Sequence, residues 1–508
     1  MVLSSLGSEE QKIIQTIQAL QDPENDVYLV GGAVRDIVLQ RPCHDFDFVL
    51  KTGARKIARK VANALNGAFL MLDDDREIAR VILRDAGDRR IFLDFSIFRA
   101  KDLEEDLRGR DFTINAMALN LANPQKIIDP LSGLEALRTK TLKTCSAESF
   151  SQDGLRTIRA IRMAVEFKLR MTQSTINDLR EAVPLLASIS VERIRDELFK
   201  IFEGNQVSTS IRLMEKFGFF PFIMPELDVI KDVTQSSPHE MDVWQHTLSV
   251  IDHLESLINL FSEEYSQDRG GNLTLGLASL KLGRYRPEII AHFNLSLNPD
   301  RSRRGLLLLA ALYHDIGKGS TLTFDKDGRR HFYTHEIISA ERIQKKAWSM
   351  TLSNNEADYL KTVVEHHMRV HNLTIDEKEV SRRAIYRFFR DTGEAGIEIC
   401  LLSLADILAR KNGTPDMERW NKELSVCERL MDQYWKHSEE TIHPPRYFDG
   451  HYLMEEFSLP PGPLVGEALE AVREAQACGE VLNQEMAVEF VKKWLIDKQV
   501  EKEKPGGQ

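Results

Sequence analysis

Cysteine is scarce in this chain: five among 508 residues, at Cys43, Cys145, Cys400, Cys427 and Cys478, with no CxxC spacing and no paired rhythm. That excludes a disulfide scaffold and points to a reducing compartment. No apolar run approaches the length of a membrane span, and MVLSSLGSEEQKII at the N-terminus lacks a basic region followed by an apolar one. Neither an anchor nor a secretory leader is expected. Positive charge is not in excess, since the formal net charge is -11, which argues against indiscriminate nucleic-acid binding and leaves room for a local basic track. Internal repeats and low-complexity tracts are also missing. What remains is an ordinary globular composition, 42% hydrophobic and 29% charged, in a chain too long for one core. A cytoplasmic protein of several domains is expected.

Periodicity divides the chain. SEEQKIIQTIQALQ, residues 8–21, has apolar residues at helical spacing behind a serine placed to cap. From VYLVGG to about residue 135 the text turns to short β-rich runs, FDFVL, GAFLML, ARVILRD and RRIFLDFSIF, with helices between. After DPLSGLEALRTKTLK nearly everything reads as helix. SQDRGGN at 266–272 and LSLNPDRSRRG at 295–305 read as linkers or insertions, and EKEKPGGQ as a frayed tail. The fold class is α+β multidomain, an α/β head followed by an all-α remainder.

Within the head, VGGAVRDIVLQRPCHDFDFVL carries the chemistry. Residues two apart on a strand point to the same side, so Asp45 and Asp47 converge and repel unless a cation sits between them. Mg²⁺ suits such a pair together with substrate phosphates. Gly31 and Gly32 can bring backbone N–H groups to phosphate oxygens at a helix start, with Arg35 one turn in. The arrangement is that of a nucleoside triphosphate site.

LVGGAVRD followed by DFDF resembles the head of class II tRNA nucleotidyltransferases and their bacterial poly(A) polymerase relatives, of the polymerase-β-like superfamily. LEEDLRGRDFTINAMALN is similar to a second signature of that family, and implies that Arg110, Asp111 and Asn115 contact triphosphate and ribose. Asp94 in FLDFSIF is a candidate third carboxylate, although an outward aspartate in a strand is equally ordinary. SQDGLRTIRAIRMAVEF resembles the segment that reads the incoming base, with Asp153 and Arg156 three apart on an expected helix and Arg159 and Arg162 extending the basic face. Gln152 stands where the family usually has Glu. SVERIRDELFKIF resembles the neck helix, whose Glu192, Arg193 and Glu197 are assigned to structural support.

Downstream, VWQHTLSVIDHL, LLLLAALYHDIGKGS, HFYTHEIISAERI, VVEHHMRVHNL and LSLADILARK hold an ordered set of histidines and aspartates. His246, His314, Asp315, His335, His366 or His367, and Asp406 are candidate ligands of a divalent transition metal or Mg²⁺. The set resembles the HD phosphohydrolase superfamily, which implies metal-activated water attacking a phosphoester. The resemblances imply these bounds: an N-terminal helix, 1–25; a polymerase-β-like nucleotidyltransferase head, 26–140; a helical neck for base recognition and RNA binding, 141–230; an HD domain, 231–435, with an insertion near 254–305; and C-terminal helices, 436–508.

The expected activity is template-independent addition of CMP or AMP, from CTP and ATP, to the 3′ end of tRNA, with Mg²⁺ held by Asp45 and Asp47. The segment between LDFSIFRA and LEEDL is very short, a feature associated with enzymes that add only CC. The product is therefore open among CCA, CC, and a terminal A added in partnership with a second nucleotidyltransferase. Poly(A) polymerase is the near alternative, an HD phosphohydrolase with a nucleotide-sensing head is the reading from another class, and an RNA-binding scaffold is a third. In enzymes of this architecture the HD domain is associated with phosphatase and 2′,3′-cyclic phosphodiesterase activity.

Overall fold

Strict alternation makes the central strand of the head. In Asp45–Leu50 (β2) the rings of Phe46 and Phe48 are buried and stack nearly parallel, while Asp45 and Asp47 emerge on the opposite face. The computed structural model describes residues 6–85, 90–262, 273–375, 379–411 and 415–503. The linker expected at 266–272 and the last five residues of the tail lie outside them. The chain forms two compact units: residues 1–198 with 209–224, and residues 199–208 with 225–508.

The first unit is built on a seven-stranded sheet in the order β3-β4-β5-β2-β1-β6-β7. Its other strands are Tyr28–Val30 (β1), Ala68–Asp73 (β3), Ile78–Arg84 (β4), Arg90–Ile97 (β5), Ala118–Asn120 (β6) and Ile127–Ile128 (β7). All neighbours are antiparallel except β2 and β5, which run parallel with Asp47 opposite Asp94. Their crossover contains the helix Ala54–Leu65, whose Ile57, Ala58, Val61 and Ala62 bury one face against β4 and β5. That helix covers one side of the sheet and leaves the carboxylate side open.

Three details depart from the sequence reading. The first helix runs Ser8–Leu20, but its cap is Gly7, whose N–H donates to the Glu10 carboxylate; Ser8 is already helical. The base-reading segment is not one helix: Ser149–Gln152 ends at an extended Asp153, and a new helix covers Arg156–Glu166. Residues 501–503, expected to fray, close the helix Gln484–Glu503.

The second unit is helical. Val243–Leu260, Arg303–Tyr313, His335–Ser349, Asn354–Glu365 and Gly396–Ala409 surround a core in which Gly396–Ala409 is buried throughout. A two-stranded hairpin, Thr323–Phe324 with Arg330–His331, precedes His335. The C-terminal helices Pro463–Cys478 and Gln484–Glu503 share an apolar cluster with Phe448 and Leu453. No described helix is long and apolar enough to cross a membrane.

Candidate functional site

The open face of the head sheet floors a cavity of about 500 Å³, lined by Gly31, Gly32, Asp47, Asp94, Arg110, Asp111, Asn115, Asp153, Arg156 and Arg159 among others. Asp47 opens to this cavity, yet burial pushes its carboxyl above the usual carboxylate range; Arg110 opposes that shift, and the charges of Asp94 and Asp45 add to it. Asp47 and Asp94 line the cavity from adjacent strands, while Asp45, two residues from Asp47 on β2, does not line it. Asp94 is already engaged, with both oxygens accepting from Arg80, Nε and Nη2, at 2.7 Å.

Gly31 serves by clearance. Its φ is +76°, and a Cβ there would stand 2.9 Å from Arg110 Nη1 and 3.2 Å from Asp47 Oδ2. Its own N–H donates to the Met117 carbonyl. Arg110 reaches Asp106 at 3.5 Å, and its buried Nε has no hydrogen-bond partner, as befits a donor that awaits an anion.

Arg35, expected at the phosphates, is elsewhere. It is buried, donates to both oxygens of Asp36 and to Asn115 Oδ1, and lies over the ring of Phe167 at 4.2 Å. One helical turn after Gly32 the side chain meets the helix Arg156–Glu166, where Met163 is its neighbour, and it does not line the cavity.

Asp111 is buried and saturated: it accepts from the Phe112 N–H, from Asn115 Nδ2 and from Arg159 Nη1. Burial alone would raise its pKa, but Arg159 and these hydrogen bonds hold it below the usual range. Arg159 and Arg162 both continue to Glu197, a buried carboxylate of the helix Val191–Glu203.

Asp153 and Arg156 both line the cavity, though not by helical spacing. Asp153 accepts from Arg193 Nη2 at 2.7 Å, and Arg156 donates to the carbonyls of Gly109, Arg110 and Ser149. Arg193, assigned in the sequence to support, itself reaches the cavity, as do Arg99, Glu105 and Asp106, which the motif reading missed. The signal for the acidic pair was LEEDLRGRD: Asp106 lies four before Arg110, on a helix that ends at Arg108.

The second unit gathers histidines around Asp315. Ligand atoms of His246, His314 and Asp315 lie within 4.8 Å of one another, and so do those of Asp315, His335 and His367. One Asp315 oxygen is 3.2 Å from His314 Nε2 and 3.8 Å from His246 Nε2; the other is 3.3 Å from His335 Nε2 and 3.8 Å from His367 Nε2. The Nδ1 atoms of His314, His335 and His367 each face the carbonyl three residues back, at 2.7–2.8 Å. In a neutral ring that contact puts the proton on Nδ1 and leaves the Nε2 lone pair free, and all three Nε2 atoms are buried beside Asp315 without an aligned hydrogen bond, although, against burial, Asp315 raises the His314 pKa. The donor set fits a divalent metal. Burial lowers the His246 and His367 pKa values. It would raise Asp315, but His314 and Lys318 hold that carboxyl well below its usual range.

Two expected ligands stand apart. His366 follows the last residue of the helix Asn354–Glu365 and belongs to neither group. Asp406 is in neither group, yet it touches the first: one oxygen contacts His246 Nε2 at 2.8 Å, and the other accepts from His371 Nε2 and from Arg410, folded back one turn along the helix. His371, Arg410 and Lys318 were not singled out from sequence. Lys318 was within reach, three residues after Asp315 in HDIGK, and donates to it at 2.7 Å.

Comparison with known proteins gives three domain matches. Residues 27–143 match the poly A polymerase head domain, residues 168–231 the probable RNA and SrmB-binding site of polymerase A, and residues 284–411 the HD domain. An A-adding tRNA nucleotidyltransferase of Deinococcus radiodurans is 29% identical over 473 residues, 92% of this chain and 95% of that one. A CC-adding tRNA nucleotidyltransferase of Thermus thermophilus is 27% identical over 476 residues, 92% and 94% of the two chains. A solved CCA-adding enzyme in complex with ATP shares the fold, with a TM-score of 0.59 and 20% identity over 97% of this chain and 98% of that one. With three domain matches in this order and two relatives aligned nearly end to end, the chain carries a poly A polymerase head domain, a probable RNA-binding segment and an HD domain, and is similar along most of its length to tRNA nucleotidyltransferases.

Proposed function

We propose that the protein is a template-independent tRNA nucleotidyltransferase that transfers CMP, AMP or both from CTP and ATP to the tRNA 3′ end. The observation that carries this reading is Asp47 facing Asp94 across β2 and β5 in a cavity walled by arginines, with Asp45 two residues from Asp47 on the same face of β2. Asp45 and Asp47 would hold Mg²⁺, which when bound supplies Lewis acidity toward the terminal 3′-hydroxyl and the phosphates. The 3′-oxygen bonds to the α-phosphorus as the bond to pyrophosphate breaks. Arg110, with its unpartnered Nε, binds phosphate oxygens, and Gly31 keeps open the space in which its guanidinium sits. Asp111 acts through Arg159 and Asn115, which it orients. Asp153 accepts from the exocyclic amino group shared by cytosine and adenine, while Arg156 donates to the ring edge.

The test uses tRNA transcripts ending before CCA, after C and after CC, given CTP and ATP separately and together with Mg²⁺. Growth by CCA marks a complete enzyme; a stop at CC, or extension of only the CC-ending transcript by A, marks a member of a split pathway. The Asp45→Ala, Asp47→Ala variant should add nothing, and its continued addition would overturn the mechanism.

The three unpartnered Nε2 atoms favour a second activity in the HD unit, metal-dependent phosphoester hydrolysis. It is read by phosphate release from p-nitrophenyl phosphate with Mg²⁺, Mn²⁺ or Ni²⁺, and should survive the double aspartate substitution.

A further inference from the structure

The hairpin between HDIGKG and His335 belongs to neither motif. Thr323 pairs with His331 and Phe324 with Arg330, and the connecting turn carries Gly328 at φ +75°. The turn is braced from within: Asp325 accepts from the N–H groups of Asp327 and Arg329 and from the His331 ring. A segment so fixed still leaves Phe324 62% exposed. Single exposed apolar residues are ordinary. This one has a cation beside it, since Arg330 lies across the pair on the same face with its guanidinium carbon 5.9 Å from the ring centroid.

Two residues beyond Arg330, the hairpin meets the metal cluster. The Phe332 carbonyl faces His335 Nδ1 at 2.8 Å, and its ring lies 5.6 Å from Lys318 Nζ, which donates to Asp315. The other side of the strand is occupied by its own contact, the His331 and Tyr333 rings stacked 5.3 Å apart and 5° from parallel. An exposed ring with an adjacent guanidinium, leading to imidazoles whose Nε2 atoms have no hydrogen-bond partner, has the composition of a single-strand nucleic-acid shelf: a π-face for a base and a cation for the neighbouring phosphate.

We propose that Phe324 and Arg330 form a nucleobase subsite of the HD unit, which stacks the last base of a single-stranded RNA and presents its 3′-terminal phosphoester to the cluster of His314, Asp315, His335 and His367. The proposal rests on the reading of that cluster as a phosphohydrolase. In the reaction a water oxygen bonds to phosphorus, the ester P–O bond breaks, and the departing ribose oxygen takes a proton. The shelf makes the preferred substrate a nucleoside phosphoester within an oligonucleotide, above a phosphate monoester that has no base.

The test compares hydrolysis of a 3′-phosphorylated oligoribonucleotide with that of p-nitrophenyl phosphate by the full-length protein, with Mn²⁺, Ni²⁺ or Mg²⁺ in turn. Removing a stacking ring costs roughly tenfold or more in binding. Phe324→Ala should therefore raise KM for the oligonucleotide about tenfold or more and leave p-nitrophenyl phosphate within about twofold. Phe324→Trp should restore the oligonucleotide KM, and Tyr333→Ala, on the other face, should leave both substrates unchanged. A second measurement does not need turnover: an oligoribonucleotide ending in 4-thiouridine 3′-phosphate is photo-crosslinked, and the adduct is mapped by mass spectrometry. An adduct within residues 322–333 supports the subsite even if no metal yields hydrolysis, in which case the phosphohydrolase reading fails alone. Hydrolysis with Phe324→Ala affecting both substrates equally, or neither, overturns the subsite and leaves that reading standing. Adducts confined to other segments overturn it as well.

Discussion

Substituting Gly31 by alanine should damage the head in two separable ways. With φ at +76° and ψ at -140°, the backbone there is one that side chains rarely adopt, and holding a non-glycine residue in it costs about 1–3 kcal/mol. For a unit of this size that lowers Tm by about 2–4 °C per kcal/mol. The new Cβ would also stand 2.9 Å from Arg110 Nη1 and must displace that guanidinium from beside Asp47. Loss of one charge-assisted contact to the reacting phosphates, at about 1.5–3 kcal/mol, lowers kcat/KM for nucleotide addition by about ten- to a hundredfold. Gly32→Ala is the matched comparison. Gly32 opens a helix, and its added Cβ would find only the end of the Arg35 side chain, 3.4 Å away, so stability should stay within about 0.5 kcal/mol of the parent. Scanning calorimetry gives the first quantity and single-turnover addition of CMP or AMP to a tRNA transcript gives the second. A Gly31→Ala protein as stable and active as the parent would refute the clearance argument, and so would equal destabilisation by both substitutions.

The remaining predictions concern groups whose roles the structure separates. Arg35→Met should lower the Tm of the head and leave the nucleotide KM within about threefold, because Arg35 is bonded inside the fold and does not line the cavity; a large KM change at unchanged Tm would contradict this. His367→Ala should lose bound metal by elemental analysis after dialysis, whereas His366→Ala should retain it, and equal losses would reject the choice between them. Glu398 is buried beside His292 and Arg303; burial would raise its pKa, but these partners hold it below the usual value. A depressed folded value means that the stabilisation is present above the unfolded pKa and is lost as pH falls through the folded one. Glu398→Gln should therefore cost about 3–5 kcal/mol at neutral pH and flatten the acid limb of the second unit's stability profile. An unchanged slope between pH 5 and 2 would show that Glu398 does not titrate with unfolding.

What was legible in the sequence follows the range of the interactions concerned. Asp45 and Asp47 could be placed on one face because alternation along a strand is local, and Phe46 and Phe48, alternating with them, said which face was inside. The order of histidines and aspartates likewise survives, because each lies on or beside a helix that the apolar periodicity already marked. What the chain text could not reveal is which polar partner each side chain takes once the helices meet. Arg35 and Arg110 are both arginines within one turn of a signature, yet Arg35 is drawn to Asp36 and Asn115 while Arg110 turns to the cavity. Asp153 and Arg156 do line one cavity, but only because an extended residue breaks the helix that the spacing argument assumed. Asp406 has the right residue type in the right order, and Arg410 one turn later and His371 from another helix saturate it. In each case the deciding partner is another polar residue, and pairing among buried charges responds to geometry of a few tenths of an ångström that composition and spacing do not carry. Motifs thus identify which chemistry a site performs, and the competition among its arginines decides which of the matched residues remain available to perform it.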